Sequence, residues 1–509
     1  MLRMATGSGL DWLSPRALVL SAGLTVGVAT HAAALVPRTG GDAARDAYRA
    51  YVASFHNGVA ASNATTAATT ASTARGAAIP AFARKYGLRC SACHTFWPEL
   101  NSFGQAFRDN GYQLMNERDS PIWQNPSYWP ATVRITPNWH WESTTHQLLD
   151  AVPGQPSLGQ VDKRVDQTGF DLSGMDFWTA GTLWKNISFV VLFSSDAFAS
   201  FHFESAFLRF DNLANSPWLN LKVGKFELDN LVSEKRFLFL SNNGGLYQTY
   251  HFNPVGDNND FGIGDNQLGV ELAGHNIGSY TRYSVSVLSS SDGSPGFSTN
   301  SGSYDAMATF SQAFPAGKLG LERVGVYGYL GQRATIVPTA DSVPVTGAGT
   351  GLKPFYRVGA AGDFYLKNLE FLPFFLHGYD NAYLGTSTAA NAPLPTGARA
   401  PTWNGGFLET HYYLSQQFVL LQRLEFIRMQ QQALASTPST LGNIDAYSFG
   451  YRWSPFMYSR AGLAFHGEYS LTKTVGGVPL SGDGVGLPPS SPSTNVWSSS
   501  LMFALDFAF

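Results

Sequence analysis

From residue 131 to the end of the chain, apolar and polar side chains alternate with a period of two. Successive side chains of a β-strand point to opposite faces, so this period predicts strands with one apolar and one polar face. The last segment sets Trp497, Ser499, Leu501, Phe503, Leu505, Phe507 and Phe509 against Ser498, Ser500, Met502, Ala504, Asp506 and Ala508. Two earlier segments set Tyr447, Phe449, Tyr451 and Trp453 against Ser448, Gly450 and Arg452, and Leu463, Phe465, Tyr469 and Leu471 against His466, Glu468 and Ser470.

Composition narrows the fold class. Charged residues make up 14% of the chain and aromatic residues 14%, and there are 52 glycines against 33 lysines and arginines. Lipid contacts only every second side chain of a membrane-spanning strand, so such a composition is typical of a membrane barrel. No run of ~18 apolar residues follows the N-terminus, which excludes a helical membrane protein. The net charge of -3 does not indicate a nucleic-acid partner.

We count about sixteen alternating segments, an even number as single-chain bacterial barrels require. We therefore predict an all-β fold, a transmembrane antiparallel β-barrel of about 16 strands over residues 129–509, whose apolar faces contact outer-membrane lipid. A soluble β-sandwich or propeller would also alternate, but would not usually end in such a strand after a signal peptide. The terminal Phe509 resembles the assembly signal of bacterial outer-membrane proteins.

The connections between segments differ in length. Long ones rich in Gly, Ser, Asn and Pro are predicted at residues 145–168, 228–265, 335–354, 383–402 and 474–494, and short ones at 212–217 and 415–417. Outer-membrane barrels have long external loops and short periplasmic turns. On this pattern the first strand begins at the periplasmic mouth, and whatever precedes it enters the barrel from that side.

The N-terminus has the features of a secretory signal peptide at residues 1–34. Two arginines precede an apolar run at 17–29, and cleavage after Ala32 or Ala34 satisfies the small-residue rule. The apolar run is too short to favour the alternative of a membrane anchor. Residues 35–76 are predicted to be a low-complexity tail and linker.

The only two cysteines are Cys90 and Cys93, and His94 follows directly. This spacing is typical of covalent haem c attachment, with two thioethers to the haem and the histidine as proximal iron ligand. The alternatives are a redox disulfide and half of a zinc site, neither of which needs His94. The cytochrome segment is predicted at residues 77–128.

A helix is predicted after the motif. Pro98 suits its first position, Leu100, Phe103 and Phe107 follow at helical spacing, and Gly111 suits its C-terminal cap. The apolar stripe is expected to pack on the haem.

The second axial ligand stays open between Met115, His140, His146 and none. Of these, Met115 lies just beyond the predicted helix, and thioether ligation would raise the haem potential.

Several positions around the motif carry a family resemblance. The segment resembles the cytochrome part of the fused monohaem cytochrome-porins, through Ala78-Ile79-Pro80-Ala81-Phe82-Ala83-Arg84, Gly87, Cys90 to His94, Pro98-Glu99-Leu100-Asn101, Phe103-Gly104, Phe107 and Gly111-Tyr112. This resemblance covers about 35 residues. It implies an Fe(II)-oxidising cytochrome that passes electrons from an extracellular donor, through one covalent haem c, to a periplasmic cytochrome or similar carrier. The tail before the segment is longer than in the family.

The sequence also suggests how such a barrel would work. An apolar band about 25 Å tall is long for a single electron hop, so a mostly helical cytochrome segment that plugs the lumen would shorten the path. There are two alternatives to this inward electron transfer. The protein could pass electrons outward, or it could be a porin-like channel with a structural haem plug. Asp257, Asp260 and Asp265 could offer oxygen ligands to iron, but a solvated loop explains them better, and no iron-binding residue is predicted. No hydrolase or phosphate-binding motif occurs.

Overall fold

A computed structural model describes residue 82 and residues 88–113, 131–184, 186–196, 200–228, 238–240, 248–254, 257, 259, 261–289, 303–317, 320–335, 351–456, 462–476 and 494–508. All of them belong to one compact unit, residues 44–509. The predicted signal peptide and linker lie outside the described residues. No helix in the described part of the chain is both long and apolar enough to cross a membrane.

Residues 88–113, here called the haem-motif segment, form four short elements. These are α1 (Cys90–Cys93), β1 (His94–Phe96), β2 (Glu99–Leu100) and α2 (Ser102–Asp109). The prediction that a helix starts at Pro98 is wrong, because Pro98 lies in the turn of the β1–β2 hairpin and Asn101 is the N-cap of α2. The predicted cap is confirmed in outline, since α2 ends at Asp109 and Gly111 has a φ of 71°.

Sixteen antiparallel strands form a closed barrel in which the last strand pairs with the first, so the predicted fold class is confirmed. The strands are β3 (Ala131–Asp150), β4 (Gln160–Trp184), β5 (Ile187–Asp196), β6 (Ser200–Phe210), β7 (Asn220–Glu227), β8 (Asn266–His275), β9 (Thr281–Ser289), β10 (Tyr304–Pro315), β11 (Leu321–Thr335), β12 (Gly351–Leu366), β13 (Leu369–Asp380), β14 (Thr402–Ser415), β15 (Phe418–Gln431), β16 (Ile444–Trp453), β17 (Gly462–Val475) and β18 (Asn495–Ala508). A further one-turn helix, α3 (Ala382–Gly385), lies between β13 and β14.

The predicted faces are confirmed along the last strands. In β18 the side chains alternate between buried and less buried over the whole strand, with Asp506 fully buried and Phe503 47% exposed. β16 follows the same rule, with Arg452 buried and Trp453 exposed. The apolar side chains therefore point outward, as the lipid-facing side of a membrane barrel requires.

Connections at the two ends of the barrel differ in length, with exceptions. The connections β6–β7 and β14–β15, which were predicted to be short, lie at the end where β3 starts and β18 stops, here called the short-turn end. Connections at the other end are mostly longer, but only residues 197–199 connect β5 to β6. The connection predicted at residues 145–168 is wrong: β3 and β4 continue pairing to Asp150 and Gln160, and only 151–159 connect them. Backbone ladder bonds sustain this protruding hairpin without a buried apolar face, so the alternation of hydrophobicity does not reveal it.

The connection between β7 and β8 is not a solvated loop in its described part. Leu228, Leu238, Phe252 and Ile263 are all at most 4% exposed and belong to the main hydrophobic cluster. That cluster also contains inward-facing barrel residues: Leu288, Met307, Tyr327, Tyr329, Phe355, Leu372, Phe374, Leu376, Trp403, Phe407, Leu421 and Ile427. The chain therefore folds back into the lumen here, because its apolar side chains can be buried only inside the barrel.

Candidate functional site

The cysteine pair lies on α1, and α2 holds this one-turn helix in place. Asn101 accepts a hydrogen bond from Gly104 N (2.9 Å) and donates to Ala92 O (3.1 Å), and its backbone N–H donates to Cys93 O (2.9 Å). Asparagine is a favoured N-cap because its side chain satisfies a free helical N–H. Gly104 is needed for the close approach, since a Cβ there would lie 2.1 Å from Cys93 O.

His94 presents one ring nitrogen to its own segment and leaves the other available. Its Nδ1 lies 2.9 Å from Pro98 O and 3.1 Å from Glu99 O, and because carbonyl oxygens only accept, Nδ1 carries the proton. Burial lowers the pKa of His94 below its usual value, although both hydrogen bonds oppose the shift. A neutral imidazole oriented by a backbone carbonyl is the usual form of a metal-ligating histidine.

The two thiols have neither the pairing nor the acidity of a redox site. Cys90 and Cys93 are not joined in a disulfide. Burial raises the pKa of Cys90 to about 11 and that of Cys93 to about 12, whereas redox-active pairs have lowered pKa values. Among the described residues, the one group of three potential metal ligands outside this motif is Glu99, Glu370 and His411, and it includes neither cysteine. The structure therefore favours neither the disulfide nor the zinc alternative.

Both cysteines and His94 line a cavity of about 330 Å³ between the haem-motif segment and the barrel wall. This volume is in the range of small-molecule and cofactor sites. The cavity follows β7 from Asn220, its first residue, to Glu227, its last. At 3.3 Å per residue, this is a length of roughly 23 Å along the strand.

The cavity has an apolar side and a charged side. Phe82, Phe107 and Tyr112 form an aromatic group, with Phe82 stacked on Tyr112 at 5.3 Å and edge-on to Phe107 at 5.2 Å. Ala180, Leu192 and Phe207 add apolar surface from the barrel, and Arg209, Lys222, His275 and Arg282 add polar groups. An apolar wall with a few convergent polar groups fits a large amphipathic cofactor such as haem.

Sequence reasoning missed His275, the last residue of β8, which lines the same cavity and is 6% exposed. Its position in the strand could have indicated it, because His275 lies an even number of residues from Gln267 and Glu271 and therefore points inward as they do. His140 and His146, by contrast, do not line the cavity: His140 pairs with Glu142 at 2.8 Å, and His146 is half-exposed beside Asp162 at 2.9 Å. Met115 lies outside the described residues.

A buried ion pair and a hydrogen bond fix the end of α2 to one side of the barrel. Arg282 Nε lies 2.8 Å from Asp109 Oδ2, and Arg209 Nη1 donates to Arg108 O at 2.9 Å. Although burial opposes it, Arg282 together with Arg108 lowers the pKa of Asp109 below its usual range. Asp109 is therefore a carboxylate in the folded protein.

A second network fixes the β1–β2 hairpin to β14. Glu99, fully buried, accepts a hydrogen bond from Tyr413 Oη at 2.8 Å and lies 3.2 Å from His411 Nδ1. His411 also contacts Glu370 Oε2 at 2.9 Å and Glu409 Oε1 at 2.7 Å. β14 and β6 are eight strands apart in the closed barrel of sixteen, so the segment reaches opposite walls of the mouth.

Trp97 and Phe96 give the haem-motif segment two further contacts with the barrel interior. The guanidinium carbons of Arg134 and Arg452 lie 5.5 and 5.3 Å from the centre of the Trp97 ring, and the Trp97 carbonyl accepts a hydrogen bond from Arg452 Nε at 3.1 Å. Phe96 is fully buried in the same cluster as the β7–β8 connection. The haem-motif segment, this connection and the inward wall thus share one apolar core.

The predicted acidic loop is part of this interior. Asn259 donates to Asp380 Oδ1 at 2.8 Å, Asp257 Oδ1 accepts from Asn259 N at 3.0 Å, and Arg357 pairs with Asp380 at 3.1 Å. Asp265 lies 3.6 Å from His251. Asp260 lies outside the described residues.

Comparison with known proteins gives a likeness of fold. No family model and no curated protein matches the chain. Among solved structures, it is similar to an anion-selective porin from Comamonas acidovorans, with 10% identity, a TM-score of 0.47 and coverage of 74% of this chain and 99% of that one. It is also similar to the outer membrane channel DcaP of Acinetobacter baumannii (11% identity, TM-score 0.45, 74% and 97% coverage) and to OmpT of Vibrio cholerae (10%, 0.44, 74% and 99%).

Proposed function

We propose that this protein is an outer-membrane electron-transfer cytochrome with one covalently bound haem c. The observation that carries the proposal is the convergence of Cys90, Cys93 and the oriented, neutral His94 on one cavity inside the barrel mouth. Haem would supply a one-electron iron centre there. The roles proposed for these residues are thioether attachment for Cys90 and Cys93 and proximal ligation for His94.

The residues around the cavity suit a redox site better than an open pore. Phe82, Phe107 and Trp97 line the proposed site, and an apolar lining of this kind controls the redox potential by limiting solvent access. The apolar core between the segment and the β7–β8 connection occupies lumen that a diffusion pore would leave to water. A cavity that follows the length of β7 would shorten the distance across the apolar band.

The proposed identities of the electron donor and of the electron carrier are based on the family resemblance. We propose that the electron comes from extracellular Fe(II) and leaves at the short-turn end to a periplasmic cytochrome or similar carrier. In that case the protein would be an Fe(II)-oxidising cytochrome, exported by its signal peptide. The acidic residues of the β7–β8 connection supply no iron site to this proposal, because Asp257 and Asn259 face Asp380 within the lumen.

The test uses the full-length protein, produced with a cytochrome c maturation system and purified in detergent. Covalent haem should be retained on a denaturing gel, and stopped-flow mixing with Fe(II) should give the reduced c-type spectrum. Replacing both Cys90 and Cys93 by Ala should abolish covalent haem while the barrel still shows heat-modifiable migration. Absence of covalent haem in the wild-type protein would refute the proposal, whereas fast oxidation by ferric chelates with no reduction by Fe(II) would reverse the direction of flow.

The second candidate is a porin-like channel in which the haem-motif segment is only a structural plug. The closed sixteen-stranded barrel favours it, since this architecture serves channels. Haem-loaded protein in liposomes should be tight to small sugars if the protein is a cytochrome. Porin-like sugar uptake would support the channel instead.

A further inference from the structure

We propose that His275, at the end of barrel strand β8, is the second axial ligand of the haem iron. This inference rests on the proposed function, because it assumes that haem occupies the cavity beside Cys90 and Cys93. The second ligand of the haem iron would then come from the barrel wall and not from the haem-motif segment. Of the candidates from sequence, His140 and His146 do not line the cavity, and Met115 lies outside the described residues.

The ring of His275 is arranged as a metal ligand. Its Nδ1 lies 2.9 Å from Asn276 O, and because that carbonyl only accepts, Nδ1 carries the proton and Nε2 has a free lone pair. Nε2 is buried and has no hydrogen-bond partner among the described residues. An unsatisfied buried nitrogen costs free energy, so a partner that accepts the Nε2 lone pair would stabilise this arrangement. His94 is oriented in the same way by Pro98 O.

The two histidines line one cavity but belong to different parts of the fold. His94 follows α1 on the haem-motif segment, and His275 ends a strand of the barrel wall, and both line the same space. Haem bound in this cavity could therefore be held by His94 from the segment and by His275 from the wall. Within the described part of the chain, no other histidine lines this cavity.

Competing ligands on the wall are engaged or chemically unsuited. Lys222 is paired with Glu271 and lies over the Phe226 ring at 4.8 Å, so its ammonium group has no free lone pair. Arg209 and Arg282 stay protonated and donate to Arg108 O and to Asp109. These cations can pair with anionic groups, but they cannot ligate iron.

The backbone fixes the position of His275. Its N–H donates to Pro217 O at 3.1 Å, and it pairs with Arg282 across the β8–β9 ladder. Arg282 in turn binds Asp109 at the end of α2. The pair of His275 and Arg282 thus positions both the proposed iron ligand and the residue that binds the haem-motif segment. Correct docking of the segment would therefore also place the iron beside His275.

The experiment compares the electronic spectra of the haem-loaded full-length protein and its variants in detergent. The wild-type protein should be six-coordinate and low-spin, with the near-infrared charge-transfer band of two imidazole ligands. His275→Ala should become high-spin, bind carbon monoxide when reduced, and return to low-spin on addition of imidazole. His275→Met should stay low-spin with a higher midpoint potential, because thioether ligation raises it.

His377→Ala is the matched control, since His377 faces outward on β13 and bonds Asn404 at 2.8 Å. Its spectrum should equal that of the wild-type protein. An unchanged low-spin spectrum in folded His275→Ala, or a wild-type spectrum typical of thioether ligation, would overturn the assignment while leaving the proposed cytochrome intact. Absence of covalent haem from the wild-type protein would overturn both. If His275→Ala does not show heat-modifiable migration, the potential and spectrum of His275→Met decide alone.

Discussion

Arg282 on barrel strand β9 and Asp109 at the C-terminal end of α2 form an ion pair of 2.8 Å in which each side chain is less than a tenth exposed. Residues 173 positions apart are thereby held together. A buried pair of this kind resists the removal of either partner, because the remaining charge would be left without compensation. The contact determines how firmly the haem-motif segment sits in the barrel mouth.

Asp109→Asn should therefore loosen the segment. Breaking a buried pair costs ~3–5 kcal/mol, and this cost falls on docking of the segment because the barrel ladder stays intact. Hydrogen exchange of residues 88–113 should accelerate while the exchange of β14–β18 does not change. Asp166→Asn is the control, since Arg164 and Asp166 are more than half exposed, and its effect should be below ~1 kcal/mol. Equal protection in wild type and Asp109→Asn would show that the pair does not anchor the segment.

Gly104→Ala should prevent covalent haem attachment. The new Cβ would lie 2.1 Å from Cys93 O, so α1 and α2 would have to separate and the two thiols would leave the cavity. Haem content per barrel should fall at least tenfold, measured by haemochrome absorbance against protein. Gly169→Ala, where nothing lies within 4 Å of the added Cβ, should keep the full haem content. Normal haem content in Gly104→Ala would contradict the proposed packing.

Asp257→Asn should make the barrel more stable and its stability less dependent on pH. Burial and the adjacent Asp380 raise the pKa of Asp257 to about 10, against ~3.9 in an unfolded chain. Between these values unfolding releases a proton, so stability falls as pH rises through the window. Asparagine removes this pH-dependent contribution, so the melting temperature at pH 8 should rise. Thermal unfolding of both proteins in detergent from pH 5 to 9 measures this difference. A wild-type stability that increases over this range would contradict the raised pKa of Asp257.

Phe374→Ala should open the lumen core. Phe374 is 4% exposed, stacks on Phe407 at 4.9 Å and meets Tyr250 of the β7–β8 connection edge-on at 4.9 Å. Removing a buried phenylalanine costs ~3–5 kcal/mol and leaves a cavity. Sugar uptake by proteoliposomes should increase and the melting temperature should fall. The neighbouring Phe375 is 45% exposed on the outer face, so Phe375→Ala should change sugar uptake little. Unchanged permeability in Phe374→Ala would show that this core does not close the lumen.

Local pattern determined much of this protein. The alternation from Trp497 to Ala508 predicted β18 and its two faces, because one face must meet an apolar environment and the other cannot. The even number of segments predicted the closed barrel, and the spacing of Cys90, Cys93 and His94 predicted a candidate haem site by its chemistry alone. Polar stretches were less informative: the outer part of the β3–β4 hairpin has ladder bonds without a buried face, and its strands were missed.

Only the tertiary structure decided what the lumen contains. The segment carrying Leu238, Tyr250 and Ile263 has turn-like composition, and its burial depends on apolar partners more than a hundred residues away in the sequence, such as Phe374 and Trp403. The alternation along β8 predicts only that His275 points inward, and it becomes a candidate ligand only when the closed barrel brings β8 to the cavity that His94 lines. The alternation within a strand depends on residues that are neighbours in the sequence. A binding site depends on residues that are neighbours in space, and here barrel closure brings those residues together.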